Sequence, residues 1–114
     1  MRKWMVSCAT GAVLMAGLTA PGLVAQDKGK PGDAAKGKET FDQCTVCHNA
    51  DSEETKVGPG LKGLFKHAKL QNGKPVNEAN VREMIDSGGN GMPAFSDQLS
   101  AQEKSDLVAY LKTL

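Results

Sequence analysis

Residues 44–48 read Cys44-Thr45-Val46-Cys47-His48. Two thiols stand three positions apart, and an imidazole follows the second directly. Three chemistries use a close cysteine pair. The CxxCH spacing matches covalent attachment of a c-type haem, with the sulfurs as thioethers and the histidine held where it reaches the iron. A structural zinc needs about four ligands and usually a second ligand pair. A thioredoxin-like dithiol expects a βαβ setting. The residues outside the motif weigh these readings.

At 114 residues the chain is bounded to one domain. Its formal charge of +1 gives no basic surface to draw a nucleic acid. Aromatic residues make up only 4% of the chain and there are 13 glycines. A small domain so poor in large side chains has trouble filling a core, and a bound macrocycle would fill it.

The N-terminus has the form of an export signal. Arg2 and Lys3 precede residues 4–25, which carry no charge and include Val13, Leu14, Met15 and Leu18. Leu23-Val24-Ala25 makes a cleavage site before Gln26. The uncharged run is also just long enough to span a bilayer, so a retained anchor is the alternative; Thr10, Thr19, Pro21 and the glycines count against it. Cys8 lies too early, with no apolar stretch before it, to accept a lipid. Cleavage after Ala25 moves the formal charge from +1 to −1 and leaves Cys44 and Cys47 as the only cysteines. One close pair is not a framework of several disulfides. The only other histidine is His67, so zinc lacks ligands.

Residues 26–32 form a Lys, Gly and Pro lead-in, and the domain proper is expected at 33–114. Asp33 is placed to cap a helix from Ala34. Gly37, Phe41 and Cys44 fall on one face of it, where Gly37 would admit another backbone. Gly58-Pro59-Gly60-Leu61 fixes a turn. The Pro59 carbonyl is a candidate acceptor for the second ring N–H of His48. Leu61, Leu64 and Phe65 predict a short helix, and residues 66–76 a loop. Asn77 caps the next helix, with Val81, Met84 and Ile85 as its apolar face and Gly88 as its end. Met84 reads as core filler there. Gly88-Gly89-Asn90-Gly91 reads as a flexible loop leading to Met92-Pro93. Ser100 and Glu103 form a capping box before Leu107, Val108, Leu111 and Leu114, with Tyr110 beside that stripe. No alternating pattern supports a sheet. The thioredoxin-like setting is therefore missing. Met92, a loop methionine followed by a proline that favours extended backbone, is a candidate thioether ligand for haem iron.

The combination of Gly37 and Phe41, Cys44 to His48, Gly58-Pro59-Gly60-Leu61, Met92-Pro93 and a closing helix with Tyr110 resembles the class I monohaem cytochromes c. The likeness covers nearly all of residues 33–114. It implies an all-α small cytochrome c fold, three to four short helices wrapped around one covalently bound haem c. It implies thioethers at Cys44 and Cys47, His48 and Met92 as axial iron ligands, and the Pro59 carbonyl on the His48 N–H. It also implies that the first and last helices cross at Gly37, with Phe41 and Tyr110 packed nearby. The expected function is electron carriage in the periplasm between a redox donor and a redox acceptor, with a membrane involved only if the N-terminal anchor is retained. The alternative is a haem enzyme, or a gas or peroxide sensor, in which Met92 dissociates.

One departure concerns the propionates. The family often holds one with a mid-chain Trp or Tyr, whereas here Trp4 lies in the export segment and the only Tyr is Tyr110. Arg82, Asn80 or a loop backbone stand as candidates. His67, among lysines, reads as a surface residue. Lys62, Lys66, Lys69 and Lys74 either steer an acidic partner or form a solvated face, offset by Asp51, Glu53 and Glu54.

Overall fold

The computed structural model describes residues 30–114. The expected export segment at 1–25 and most of the lead-in at 26–32 lie outside the described residues. Helix α1 is Ala34–Phe41, and a 3₁₀ turn at Asp42–Cys44 continues it. A second 3₁₀ turn covers Leu64–Lys66. Helix α2 is Glu78–Ser87 and helix α3 is Ala101–Leu111. Among the described residues there is no strand, only isolated bridges at Lys69–Pro75 and Gly89–Met92. The all-α reading holds, with three α-helices among the described residues.

Local chemistry sets each helix start. The Asp33 carboxylate accepts from the Ala35 and Lys36 amides. Asn77 accepts from the Asn80 amide. Ser100 and Glu103 make the expected reciprocal capping box. Gly88 closes α2 with φ of 64°, a conformation that suits glycine. Leu61 lies outside any helix, because the apolar spacing there yields only the single turn Leu64–Lys66. Residues 66–76 are more ordered than a plain loop. Leu70 N donates to Lys74 O at 2.8 Å and Val76 N to Ala68 O at 3.2 Å, around Asn72-Gly73 with Gly73 at φ of 81°. An Asn-Gly pair is a strong hairpin signal.

Helices α1 and α3 pack on each other directly. A Cβ at Gly37 would lie 1.9 Å from the Asp106 carbonyl oxygen and 2.8 Å from Tyr110 Cβ. Glycine is therefore required by space, and its face meets the backbone of α3. One turn on, the Phe41 and Tyr110 rings sit 5.3 Å apart at 55°, a tilted aromatic pair. Phe41, Leu107, Val108 and Leu111 join Val81, Ile85 and Leu99 in the buried core. Arg82 ties α2 to α3, donating to Ser105 Oγ at 3.0 Å and to Ala101 O at 2.9 Å.

Asp106 is only 3% exposed at this crossing. It accepts from the Asp33 amide at 2.8 Å and from Gln102 Nε2 at 2.9 Å. These bonds, the Asp33 amide foremost and helped by the charge of Lys36, hold its carboxyl below the usual 3.8 against the opposing effect of burial. The same residue thus anchors the start of α1 to α3.

The helix crossing can be probed at both residues. Gly37→Ala should cost about 2–3 kcal/mol, seen as a lower denaturant midpoint; an unchanged midpoint would contradict the close contact. Because the folded pKa of Asp106 is depressed, its contribution is complete above the ordinary carboxylate range and is lost as pH falls through the folded value. Asp106→Asn should therefore flatten the loss of stability below about pH 4. Parallel acid limbs for the two proteins would show that Asp106 is not the group titrating.

Candidate functional site

The 3₁₀ turn at Asp42–Cys44 hands the chain from α1 to the cysteine pair. Thr45 Oγ1 donates to Asp42 O at 2.6 Å, and the Cys47 and His48 amides donate to Cys44 O at 3.1 and 2.9 Å. This tight winding keeps Cys44, Cys47 and His48 on one wall of a cleft of about 570 Å³. The volume is in the range of cofactor sites. The buried side chains Phe41, Val81, Ile85, Leu107 and Leu111 also line it.

His48 is fixed from behind. Its Nδ1 lies 2.8 Å from the Pro59 carbonyl. A carbonyl can only accept, so the ring carries its proton on Nδ1 and leaves the Nε2 lone pair free. Residues 58–61 are held to the motif by Gly58 N donating to Cys47 O at 2.7 Å and Leu61 N to Asn49 O at 2.8 Å. Gly58 packs flat on the imidazole: a Cβ there would lie 2.6 Å from Cε1. Gly60 is equally confined, with a Cβ 2.2 Å from the Ser52 carbonyl. Sequence reading identified Pro59 and missed both glycines as spacers, since a Gly-Pro-Gly run signals a turn without saying what lies against it.

Met92 lines the same cleft and is half-buried against the core. The glycine run before it is a defined turn and not the expected flexible loop. Gly89 and Met92 exchange both backbone hydrogen bonds at 3.0 Å, and Asn90 and Gly91 have φ of 52° and 90°. These are the left-handed central residues of a two-residue hairpin, for which Asn-Gly is the preferred sequence. Gly88 is also sterically required, since a Cβ there would lie 2.4 Å from Met92 O. Met84, expected as core filler, instead lines the cleft half-buried. Two thioethers thus border the same space.

Two of the three propionate candidates are engaged elsewhere. Arg82 is committed to α3, and Asn80 Nδ2 donates to Pro75 O at 2.8 Å. Neither lines the cleft; its polar lining includes Gln43, Thr55, Lys69, Gln71 and Asn90. His67 is exposed as expected, with Nε2 3.4 Å from Lys62 O and 3.7 Å from Glu53, yet it also borders the cleft.

The thiols fit thioether attachment better than the competing chemistries. Burial, with the neighbouring Cys47 adding to it, pushes the Cys44 thiol up to about 11. A redox-active dithiol needs a lowered value. No group of three metal-binding side chains gathers among the described residues. The space, the free imidazole nitrogen and the paired thiols therefore suit a covalently bound haem.

Comparison with known proteins agrees. A family described as cytochrome c oxidase, cbb3-type, subunit III matches residues 32–111. A cytochrome c2 of Blastochloris viridis is 35% identical over 97 residues, covering 70% of this chain and 76% of that protein. The cytochrome bc1 complex cytochrome c subunit of Corynebacterium diphtheriae is 36% identical over 85 residues. That match takes in 73% of this chain, which spans only 28% of the length of that subunit. Among solved structures, cytochrome c6 of Phaeodactylum tricornutum superposes with a TM-score of 0.58 at 25% identity, covering 72% of this chain and 93% of that one. What the spacing of two thiols and a histidine left open, these matches close: the chain belongs to the class I monohaem cytochromes c, electron-transfer proteins rather than enzymes, and binds one haem c covalently through Cys44 and Cys47.

Proposed function

We propose that this protein is a periplasmic one-electron carrier whose haem iron is held between His48 and Met92. Bound haem supplies an Fe(III)/Fe(II) couple. The protein's part is to hold both axial groups still and to keep water from the cleft. The observation that carries the reading is the second-sphere bond from His48 Nδ1 to the Pro59 carbonyl, 2.8 Å, which leaves Nε2 as the ligating atom. Met92 is favoured over Met84 because its backbone is fixed by a closed hairpin turn next to the cleft. That turn also weighs against the enzyme or sensor alternative, which needs Met92 to leave easily.

Residues 1–25 are proposed as the export signal and 33–114 as the cytochrome domain. No helix among the described residues is long and apolar enough to cross a membrane. Transfer between a donor and an acceptor calls for brief contacts of small area. Val46 and Val57 are 70% and 75% exposed. They lie on adjoining segments, since Gly58 N donates to Cys47 O and Lys56 Nζ to Thr45 O at 2.9 Å. This apolar pair beside the haem attachment suits such transient docking.

The two methionines give the test. Oxidised Met-ligated haem shows a weak far-red methionine-to-iron charge-transfer band. Met92→Ala should abolish it and lower the reduction potential, while Met84→Leu should keep both. The reverse pattern would transfer the ligand role to Met84.

A further inference from the structure

Beyond Met92 the chain turns back across the C-terminal end of α2. Phe95 N donates to Ile85 O at 2.9 Å and Ser96 N to Asp86 O at 3.3 Å. Leu99, 7% exposed, anchors the far end of this segment in the core. Lys104, on α3, completes the junction. Its Nζ lies 2.6 Å from Asp86 Oδ1 and donates to Ser96 O at 3.0 Å. The lysine is 9% exposed, and Asp86 is 36% exposed at its side chain. Lysine is rarely buried so far unless it is paired and hydrogen-bonded. Its ammonium joins three pieces of chain: α3, the end of α2, and the segment that leaves Met92.

We infer that Lys104, with Asp86 as its counter-charge, is a positioning residue for the Met92 ligand. The inference rests on the reading of Met92 as an axial ligand. On one side Met92 is held by the Gly89–Met92 turn, whose base Gly88 packs on the Met92 and Pro93 backbone. On the other side the tether is the segment pinned at Ser96. Removing the ammonium leaves the Ser96 carbonyl without its donor and the Asp86 carboxylate without its counter-charge. The segment then opens more often, and Met92 leaves the iron in that open form. A competing ligand gains affinity in proportion to the open population.

The test uses the oxidised, haem-loaded protein and imidazole as the competing ligand. Lys104→Met keeps the side-chain stem and removes the charge. Asp86→Asn removes the counter-charge at a half-exposed position and decides the matter if Lys104→Met does not retain haem. Arg82→Met is the control, because Arg82 also ties α2 to α3 but its hydrogen bonds go to Ser105 and Ala101, not to the segment that leaves Met92. Lys104→Met should raise imidazole affinity by about tenfold or more, and Asp86→Asn should raise it in the same direction. Both should speed hydrogen exchange at the Phe95 and Ser96 amides. Arg82→Met should lower the unfolding midpoint without changing imidazole affinity. Unchanged affinity in the Lys104 and Asp86 variants, or an equal gain in the Arg82 control, would overturn the inference. A wild-type protein lacking the methionine-to-iron band would instead withdraw the ligand reading, and this inference with it.

Discussion

Backbone meets backbone where α1 crosses α3, and the rest of the domain depends on that contact. Gly37 supplies no side chain, so the two helices approach until a Cβ would collide with the Asp106 carbonyl. Such closeness aligns Phe41 with Tyr110 and lets the Asp106 carboxylate reach the Asp33 amide. With α1 fixed in this way, the turn that follows it can present Cys44, Cys47 and His48 only to one side. The cleft is what remains between that turn, α2 and the Met92 segment. A core of few aromatics can enclose such a space because the macrocycle itself completes it.

The two walls of the cleft are built by different means. The His48 wall uses a proline carbonyl and two glycines: Pro59 accepts from the ring, Gly58 lies flat on it, and Gly60 lets residues 52–53 close over the turn. The Met92 wall uses a two-residue hairpin and a clamp between helices. The first wall relies on glycines that leave room for their neighbours, the second on turn residues in the left-handed region. A group held so firmly changes little when the iron changes charge, which is the property an electron carrier requires.

Much of this was legible in the chain. Asp33, Asn77, Ser100 and Glu103 carry short-range capping signals, and all four act where the spacing put them. The Gly37–Phe41 face and the Leu107–Leu111 stripe follow from helical period alone. The Pro59–His48 pair required knowing that a ligating histidine wants an acceptor behind it. Other features depend on what folding brings together. Gly58 matters for the ring that lands on it, and Lys104 for a segment eight residues earlier in sequence. Arg82 stands in the sequence as a propionate candidate, but folding brings α3 beside it, and its guanidinium donates to Ser105 Oγ and Ala101 O. Met84 shares the helical spacing of Val81 and Ile85 and lines the cleft with them, yet it is only half-buried while they are in the core, a difference that period alone cannot resolve. Asn90-Gly91 carried its signal openly: an Asn-Gly pair is a hairpin signature, and reading it only as flexible glycine overlooked the conformation it encodes.

The central claim is that these two rigid walls close both faces of the iron. The spin state of the oxidised protein at neutral pH, read by electron paramagnetic resonance, addresses it without any substitution. A wholly low-spin signal is expected, because an imidazole and a thioether together leave no weak-field water on the metal. A dominant high-spin signal would mean that one face is open, and would contradict the carrier account.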